Sequence, residues 1–201
     1  MRQETDTYQR ILESARDLMY ASGCADSGVA AICEKAQVQK GTFYHYFKSK
    51  QELTLSVIDA FYSDMKESVL DKAFDPSLPP LTRLSRFIDM IIDNQISIYE
   101  KTGHVLGCPF GNLASELSTQ DETIRIKLNG LFMDFKQLIR GTLQDAVDAG
   151  ELALTDVDLK AEAFLAYFEG CMLIAKTRND PTILQRLLPT ALDFQSYSAS
   201  A

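Results

Sequence analysis

The sequence predicts an all-α fold, an N-terminal three-helix head followed by a larger C-terminal helical bundle. Two observations carry this. Apolar residues recur at steps of three and four along most of the 201 residues, the spacing that lines up one face of a helix. Glycines, prolines and capping residues interrupt that pattern at intervals. Apolar side chains make up 46% of the chain, enough for a sizeable core. The division expected is a head over residues 1–50, a body over 51–195 and a small polar tail over 196–201.

The first helix is expected over residues 7–21, with Tyr8, Ile11, Leu12, Ala15, Leu18 and Met19 as its stripe and Gly23 as its stop. Ser27 is the expected N-cap of the second helix, with its hydroxyl also placed to touch a phosphate. In that helix Val29, Ile32, Cys33 and Ala36 form one apolar stripe. Val38 then sits in a tight turn and points to the core. Phe43 and Phe47, four apart, share one face of the third helix. Ser49 and Glu52 form an S-x-x-E capping box that opens the fourth.

With the two phenylalanines inward, Gln39, Lys40, Gly41, Thr42, Tyr44 and His45 are left facing out at the front of the third helix. Lys48 and Lys50 follow behind it. Between Lys35 and Lys50 there are four lysines and no acid. Such a helix can press its N-terminal end against DNA phosphates and base edges. Gly41, lacking a Cβ, allows close approach of backbone to phosphate. A merely solvated basic face is the plainer alternative; the agreement of aromatic spacing, glycine and capping box favours the DNA-binding one.

The run KGTFYHYFKSKQEL resembles the recognition segment of TetR-family transcriptional regulators. The resemblance covers about the first quarter of the chain, and the remainder only through its helical layout. It implies a helix-turn-helix braced by the first helix, a homodimer, and a one-component regulator of the repressor type. Two positions depart from the pattern. Gln37 stands where the family usually has a turn glycine. Gln39 stands where a serine usually opens the recognition helix, which bears on the base read.

Beyond the head, a fourth helix is expected from residue 50 to 73–74, with Leu53, Val57, Ala60 and Phe61 on its apolar side. Pro76, Pro79 and Pro80 then break the chain. The next stripe is Leu84, Phe87, Ile88, Ile91 and Ile98, stopping near Gly103. A loop with three glycines and Pro109 follows, then a short helix. Pro109 at a first helical position puts Cys108 near an N-cap, where free N–H groups and the helix dipole favour a thiolate. This loop is similar to the cysteine-containing loop of a NemR-like, electrophile-sensing TetR subgroup, and Lys176 occupies the matching lysine position. The plainer alternative makes Cys108 a small loop residue and Lys176 a complement to its helix end. A non-covalent ligand in the same region is a further alternative.

A long helix is expected over 122–149, on the order of 40 Å, with Ile124, Leu128, Leu131, Phe135 and Leu138 as its stripe and Gly150 as its end. Thr155 and Asp158 suggest another capping box. Residues 161–175 are apolar nearly all round, with only Glu162 and Glu169 charged. That implies burial on more than one side, in a segment too short to span a membrane. The simplest solution is a dimer interface built with the last helix, which carries Ile183, Leu184, Leu187, Leu188 and Leu192; Gly170 permits close approach. Tyr99, His104, Phe132, Phe164, Tyr167 and Met172 are candidate ligand-pocket residues, inseparable from core at this level.

Residues 1–55 hold seven basic and seven acidic side chains, so the whole net charge of −8 belongs to the remainder. An acidic body repels DNA and leaves the lysine cluster as the attractive face. Four irregularly spaced cysteines fit reduced thiols in a cytoplasm, and the N-terminus has no apolar export signal. HExxH, P-loop, GxGxxG and GxSxG motifs are absent. With two histidines, no enzyme, metal or cofactor is expected. The expected partners are double-stranded operator DNA read as a palindrome, a second copy of the chain, and a small-molecule or electrophile inducer. The rival is a helical ligand-binding or scaffold dimer without operator binding.

Overall fold

The computed structural model describes residues 2–193, with side chains from Asp6 onward. The expected tail at 196–201 lies outside the described residues. Helices α1 (Arg2–Ser22), α2 (Val29–Ala36), α3 (Lys40–Tyr46) and α4 (Lys50–Met65) are followed by a π-helical turn (Lys66–Leu70) and α5 (Asp71–Ala73). Then come α6 (Pro80–Thr102), α7 (Pro109–Leu117), α8 (Glu122–Asp148), α9 (Val157–Arg178), α10 (Thr182–Leu187) and a closing 3-10 turn (Leu188–Leu192). No strand occurs among the described residues.

The chain forms two compact units, and their boundary is not at residue 50. The first takes the chain to Asp64 and adds Pro109–Gly130; the second takes Met65–Cys108 and the chain from Leu131 onward. The first unit therefore includes most of α4, all of α7 and the start of α8. The reason is packing across sequence: Phe61 of α4 meets Phe110 of α7 edge-on at 6.4 Å, and Gln51 donates to Asp121 at 2.7 Å.

In the first unit α1 contributes Ile11, Leu12, Ala15 and Met19 to the core, and α2 contributes Ile32, Cys33 and Ala36. Phe43 and Phe47 are fully buried, and Tyr8 stacks on Phe47 at 4.9 Å. The turn after α2 places Gln37 at φ 55°, ψ 47°, a left-handed conformation that costs a side-chain-bearing residue about 1–2 kcal/mol. Arg10 holds it there, donating to the carbonyls of Ala36 (2.6 Å) and Gln37 (3.2 Å).

Ser27 is not the N-cap of α2. That position is Gly28, with no side-chain cap bond. The Ser27 hydroxyl instead donates to the Gly23 carbonyl at 2.6 Å, because the chain leaves α1 through Gly23 at φ 87° and folds the serine inward. The Ser49–Glu52 box forms in modified shape. The Glu52 N–H donates to Ser49 Oγ at 3.0 Å, but the Glu52 carboxylate accepts from the N–H of Lys48 (2.8 Å), one residue earlier than the box predicts.

The fourth helix is not continuous α-helix to residue 73. The π turn admits one extra residue, which shifts the buried stripe. Leu53 and Val57 are buried before it, and Val69, Leu70 and Ala73 after it, one place later than an uninterrupted 3.6-residue period allows.

In the second unit, α6 buries Leu84, Phe87, Ile88, Ile91, Ile92 and Gln95, so the stripe ends on an amide; Ile98 is only half-buried. Along α8, Ile124, Leu128 and Leu131 are buried, but Ile139, Leu143 and Ala146 then replace the expected Phe135 and Leu138. A helix of 3.6 residues per turn drifts off a strict seven-residue repeat by about 20° per heptad. Lys136, which the drift turns inward, bonds to Asp158 (2.8 Å) and Glu162 (3.1 Å) of α9. Those two carboxylates hold its ammonium above the usual lysine range.

The N-cap of α9 is Asp156, accepting from the Leu159 N–H at 2.9 Å, not Thr155; Asp158 is taken by Lys136. The last helix is short, giving way at Leu188 to a 3-10 turn with Pro189 at its start. Its Ile183, Leu184 and Leu188 are buried in their own unit.

Candidate nucleic-acid interface and regulatory loop

The α3 surface follows from its two buried anchors. With Phe43 and Phe47 at or near zero exposure, Gln39, Lys40, Gly41, Tyr44, His45 and Lys48 are exposed and Thr42 is half-buried. Tyr44 is 49% exposed, yet its ring lies edge-on against Phe43 at 5.2 Å, so the phenol projects from a fixed base. Gln39 is the N-cap residue and makes no side-chain cap bond. A Cβ on Gly41 would meet nothing within 4 Å, so packing inside the chain does not account for that glycine.

The lysines divide. Lys40 belongs to the outward face. Lys48 lies 3.3 Å from the His45 carbonyl and 3.5 Å from that of Tyr44, at the end of α3, where a cation complements the helix dipole. Lys50 donates to the carbonyl of Cys24, an internal role where a phosphate contact was expected. Lys35 pairs with Asp17 of α1 at 2.9 Å. Ser27, 1% exposed, leaves the DNA-facing set, because its hydroxyl is committed to Gly23.

In the second unit the 103–108 loop is tied down by two amides. Gln95, 3% exposed, accepts from the Gly107 N–H at 3.1 Å and donates to the Gly107 carbonyl at 3.2 Å. Asn179, the left-handed C-cap of α9, accepts from the Val105 N–H and donates to the Gly103 carbonyl, both at 2.9 Å. Neither residue was expected at this loop. Each carried a signal: Gln95 is a polar residue on an apolar stripe, and asparagine is the usual substitute for glycine at a left-handed cap.

Cys108 does occupy the residue before Pro109 and α7, as expected. However, it is 6% exposed and shares a side-chain hydrogen bond with Glu169 of α9. Burial pushes the Glu169 carboxyl above its ordinary range, and the Cys108 bond opposes that shift. Exposure, which a reactive thiol needs, is missing. Lys176 is close by: a Cβ on Gly107 (φ 75°) would stand 3.2 Å from Lys176 Cδ and 3.6 Å from the Met172 carbonyl. The other three cysteines are free and buried; Cys24 and Cys33 are the core residues the sequence suggests.

Of the candidate pocket residues, Phe164 and Tyr167 share a groove of about 210 Å³ with Lys160, Ala163, Thr190, Ala191 and Asp193. The Tyr167 hydroxyl donates to the Leu187 carbonyl at 3.0 Å and bonds Thr190 at 2.7 Å. Met172 is buried, Tyr99 and Phe132 are half-buried, and His104 is exposed. Among the described residues no group of three or more His, Cys, Asp or Glu is placed to hold a metal ion.

Comparison with known proteins agrees with this layout. Residues 11–57 match the family described as "Bacterial regulatory proteins, tetR family", and residues 80–191 match "Tetracyclin repressor-like, C-terminal domain". The chain is 34% identical over 178 residues to the transcriptional regulator AcuR of Cereibacter sphaeroides, covering 87% of this chain and 79% of that protein. The crystal structure of regulatory protein TetR from Rhodobacter sphaeroides superposes with a TM-score of 0.82 at 32% identity, covering 92% of this chain and 96% of that one. The reduced form of E. coli NemR superposes with a TM-score of 0.79 over 95% of this chain and 98% of that one, at 21% identity, a likeness of fold alone. A helix-turn-helix head, an all-helical body and these matches agree: the chain belongs to the TetR family of DNA-binding transcriptional regulators.

Proposed function

We propose that the protein is a dimeric repressor that reads a palindromic operator through α3 and is released by a small molecule bound in its second unit. The observation that carries this is the division of α3 into two buried phenylalanines and an outward set of Gln39, Lys40, Gly41, Thr42, Tyr44 and His45, backed by Lys48. A helix of that makeup sets side chains against base edges and phosphates of the major groove. Two heads spaced by one helical turn of DNA, ~34–36 Å, or a multiple of it read a palindrome.

A second copy of the chain is the partner supported by α9. Leu159 (64%), Leu173 (63%), Ile174 (40%) and Tyr167 (38%) stay exposed on it, and a Cβ on Gly170 would meet nothing within 4 Å. Large apolar side chains clustered on one helix favour a protein partner over water. With the leucines of α10 largely inside their own unit, α9 supplies most of this contact.

Release by a non-covalent ligand is favoured over modification of Cys108. The thiol is buried and hydrogen-bonded to Glu169, whereas a reactive cysteine needs exposure. No helix of the described residues is long and apolar enough to cross a membrane, and we place the protein in the cytoplasm with its DNA.

The test is operator selection from a random duplex pool, followed by fluorescence anisotropy at several salt concentrations. Wild type should enrich a palindrome, and Tyr44→Ala should lose affinity for it while keeping its thermal midpoint. Equal binding by Tyr44→Ala overturns the assignment of α3. Treatment with N-ethylmaleimide beside Cys108→Ser checks the sensing reading. Release of wild type but not of the serine variant would reinstate the cysteine.

A further inference from the structure

The loop between α1 and α2 is held by a residue of α7 that belongs to no recognised motif. Glu116 accepts from the Cys24 N–H at 2.8 Å through Oε2 and from the Ala25 N–H through Oε1. The same loop is gripped from α4, where Lys50 donates to the Cys24 carbonyl. Gly23 makes room for this: at φ 87° it bears no side chain, and a Cβ there would stand 3.2 Å from Glu116 Oε2. All of these residues lie in the first unit.

Glu116 is poorly placed for its own helix. It sits next to the last residue of α7, where the carbonyl end of the dipole disfavours negative charge. Its purpose therefore lies in what it grips. A carboxylate taking two backbone N–H groups in parallel fixes both position and direction of the peptide, as a bidentate contact does. That peptide leads directly into α2, and α2 leads through the Gln37 turn into α3. We propose that Glu116 is a positioning residue for operator recognition: its two-pronged hold on Cys24 and Ala25 sets the entry to α2 and hence the placement of α3 on DNA. This rests on the operator-binding reading above.

The test compares wild type, Glu116→Ala and Glu116→Gln on the selected operator and on an unrelated duplex, with thermal midpoints and backbone hydrogen exchange measured without DNA. Glu116→Ala should weaken operator binding about tenfold, the affinity equivalent of one charge-assisted hydrogen bond, with binding to the unrelated duplex unchanged. Exchange should quicken at residues 23–28 and also through residues 29–47. Glu116→Gln, which keeps one acceptor oxygen, should recover part of the affinity. Quickened exchange confined to residues 23–28 with wild-type operator affinity overturns the proposal. So does an equal loss on both duplexes accompanied by a lowered midpoint, which marks a general role in stability. Because hydrogen exchange needs no DNA, it judges the grip even if wild type selects no operator, an outcome that would count against the DNA-binding reading instead.

Discussion

The α3 segment and the 103–108 loop both set polar groups next to buried ones, and they use them in opposite ways. On α3, two phenylalanines are committed to the core and the polar side chains are left facing solvent. In the loop the polar groups are consumed: Gln95 and Asn179 take up backbone groups of Gly103, Val105 and Gly107, and Cys108 is bonded to Glu169. The first arrangement leaves polar side chains open to solvent on a helix fixed by its buried face. The second is an interior whose backbone groups are satisfied by side chains of the same unit. The lesson is that a cysteine at a helix start carries little meaning until its exposure is known.

This contrast can be broken first at α3. Phe43→Ala should cost about 3–5 kcal/mol of stability, the usual effect of emptying a fully buried aromatic site, and should show as a much lower denaturation midpoint. Tyr44→Ala, one residue on, should leave stability within ~0.5 kcal/mol of wild type while operator affinity falls. Similar denaturation curves for the two variants would mean that α3 is not divided into an inner and an outer face.

In the loop the sharpest probe is Gln95→Ala. It strands a buried N–H and a buried carbonyl of Gly107, at roughly 1–3 kcal/mol each. Urea denaturation should show a loss of at least about 2 kcal/mol, and exchange at Gly107 should quicken. A variant as stable as wild type would show that the loop is not held by this amide.

A smaller gain is expected at the turn of the head. Gln37→Gly relieves a left-handed conformation and should stabilise by about 1 kcal/mol at most, offset in part by the greater freedom of glycine in the unfolded chain. The midpoint would rise by about 2–4 °C. A fall would mean that the Gln37 side chain has a role of its own.

Glu169 should change the slope of stability with pH. Its carboxyl titrates above the ordinary range in the folded chain because it is buried. The folded state therefore binds more protons than the unfolded state between the two values. Its contribution is fullest below the unfolded value and is lost as pH rises through the folded one. Glu169→Gln removes that loss, so the midpoint difference between variant and wild type should grow in the variant's favour as pH rises across this window. A difference independent of pH would show that Glu169 is not what titrates there.

Much of the head was legible because its signals are local. The stripe of α2, the Phe43–Phe47 pair, and the box at Ser49 and Glu52 each depend on residues within one or two turns, where helical geometry alone dictates which side chains meet. Gly103 and Gly150 stop their helices, at φ 74° in both cases, for the same reason. Errors of one residue, as at Ser27 and Thr155, arose where two capping residues compete and the direction of the incoming chain decides between them.

The sequence by itself determined the helical class and the inner and outer residues of α3, because periodicity and capping act over a few residues. Only the tertiary structure decided that Lys50 grips Cys24, that Glu116 holds the entry to α2, that Gln95 and Asn179 close the 103–108 loop, and that Cys108 is buried. Those facts join residues 12 to 92 positions apart. Local spacing carries no information about such pairs, and a buried backbone group that must find a partner takes whichever side chain the fold brings within reach.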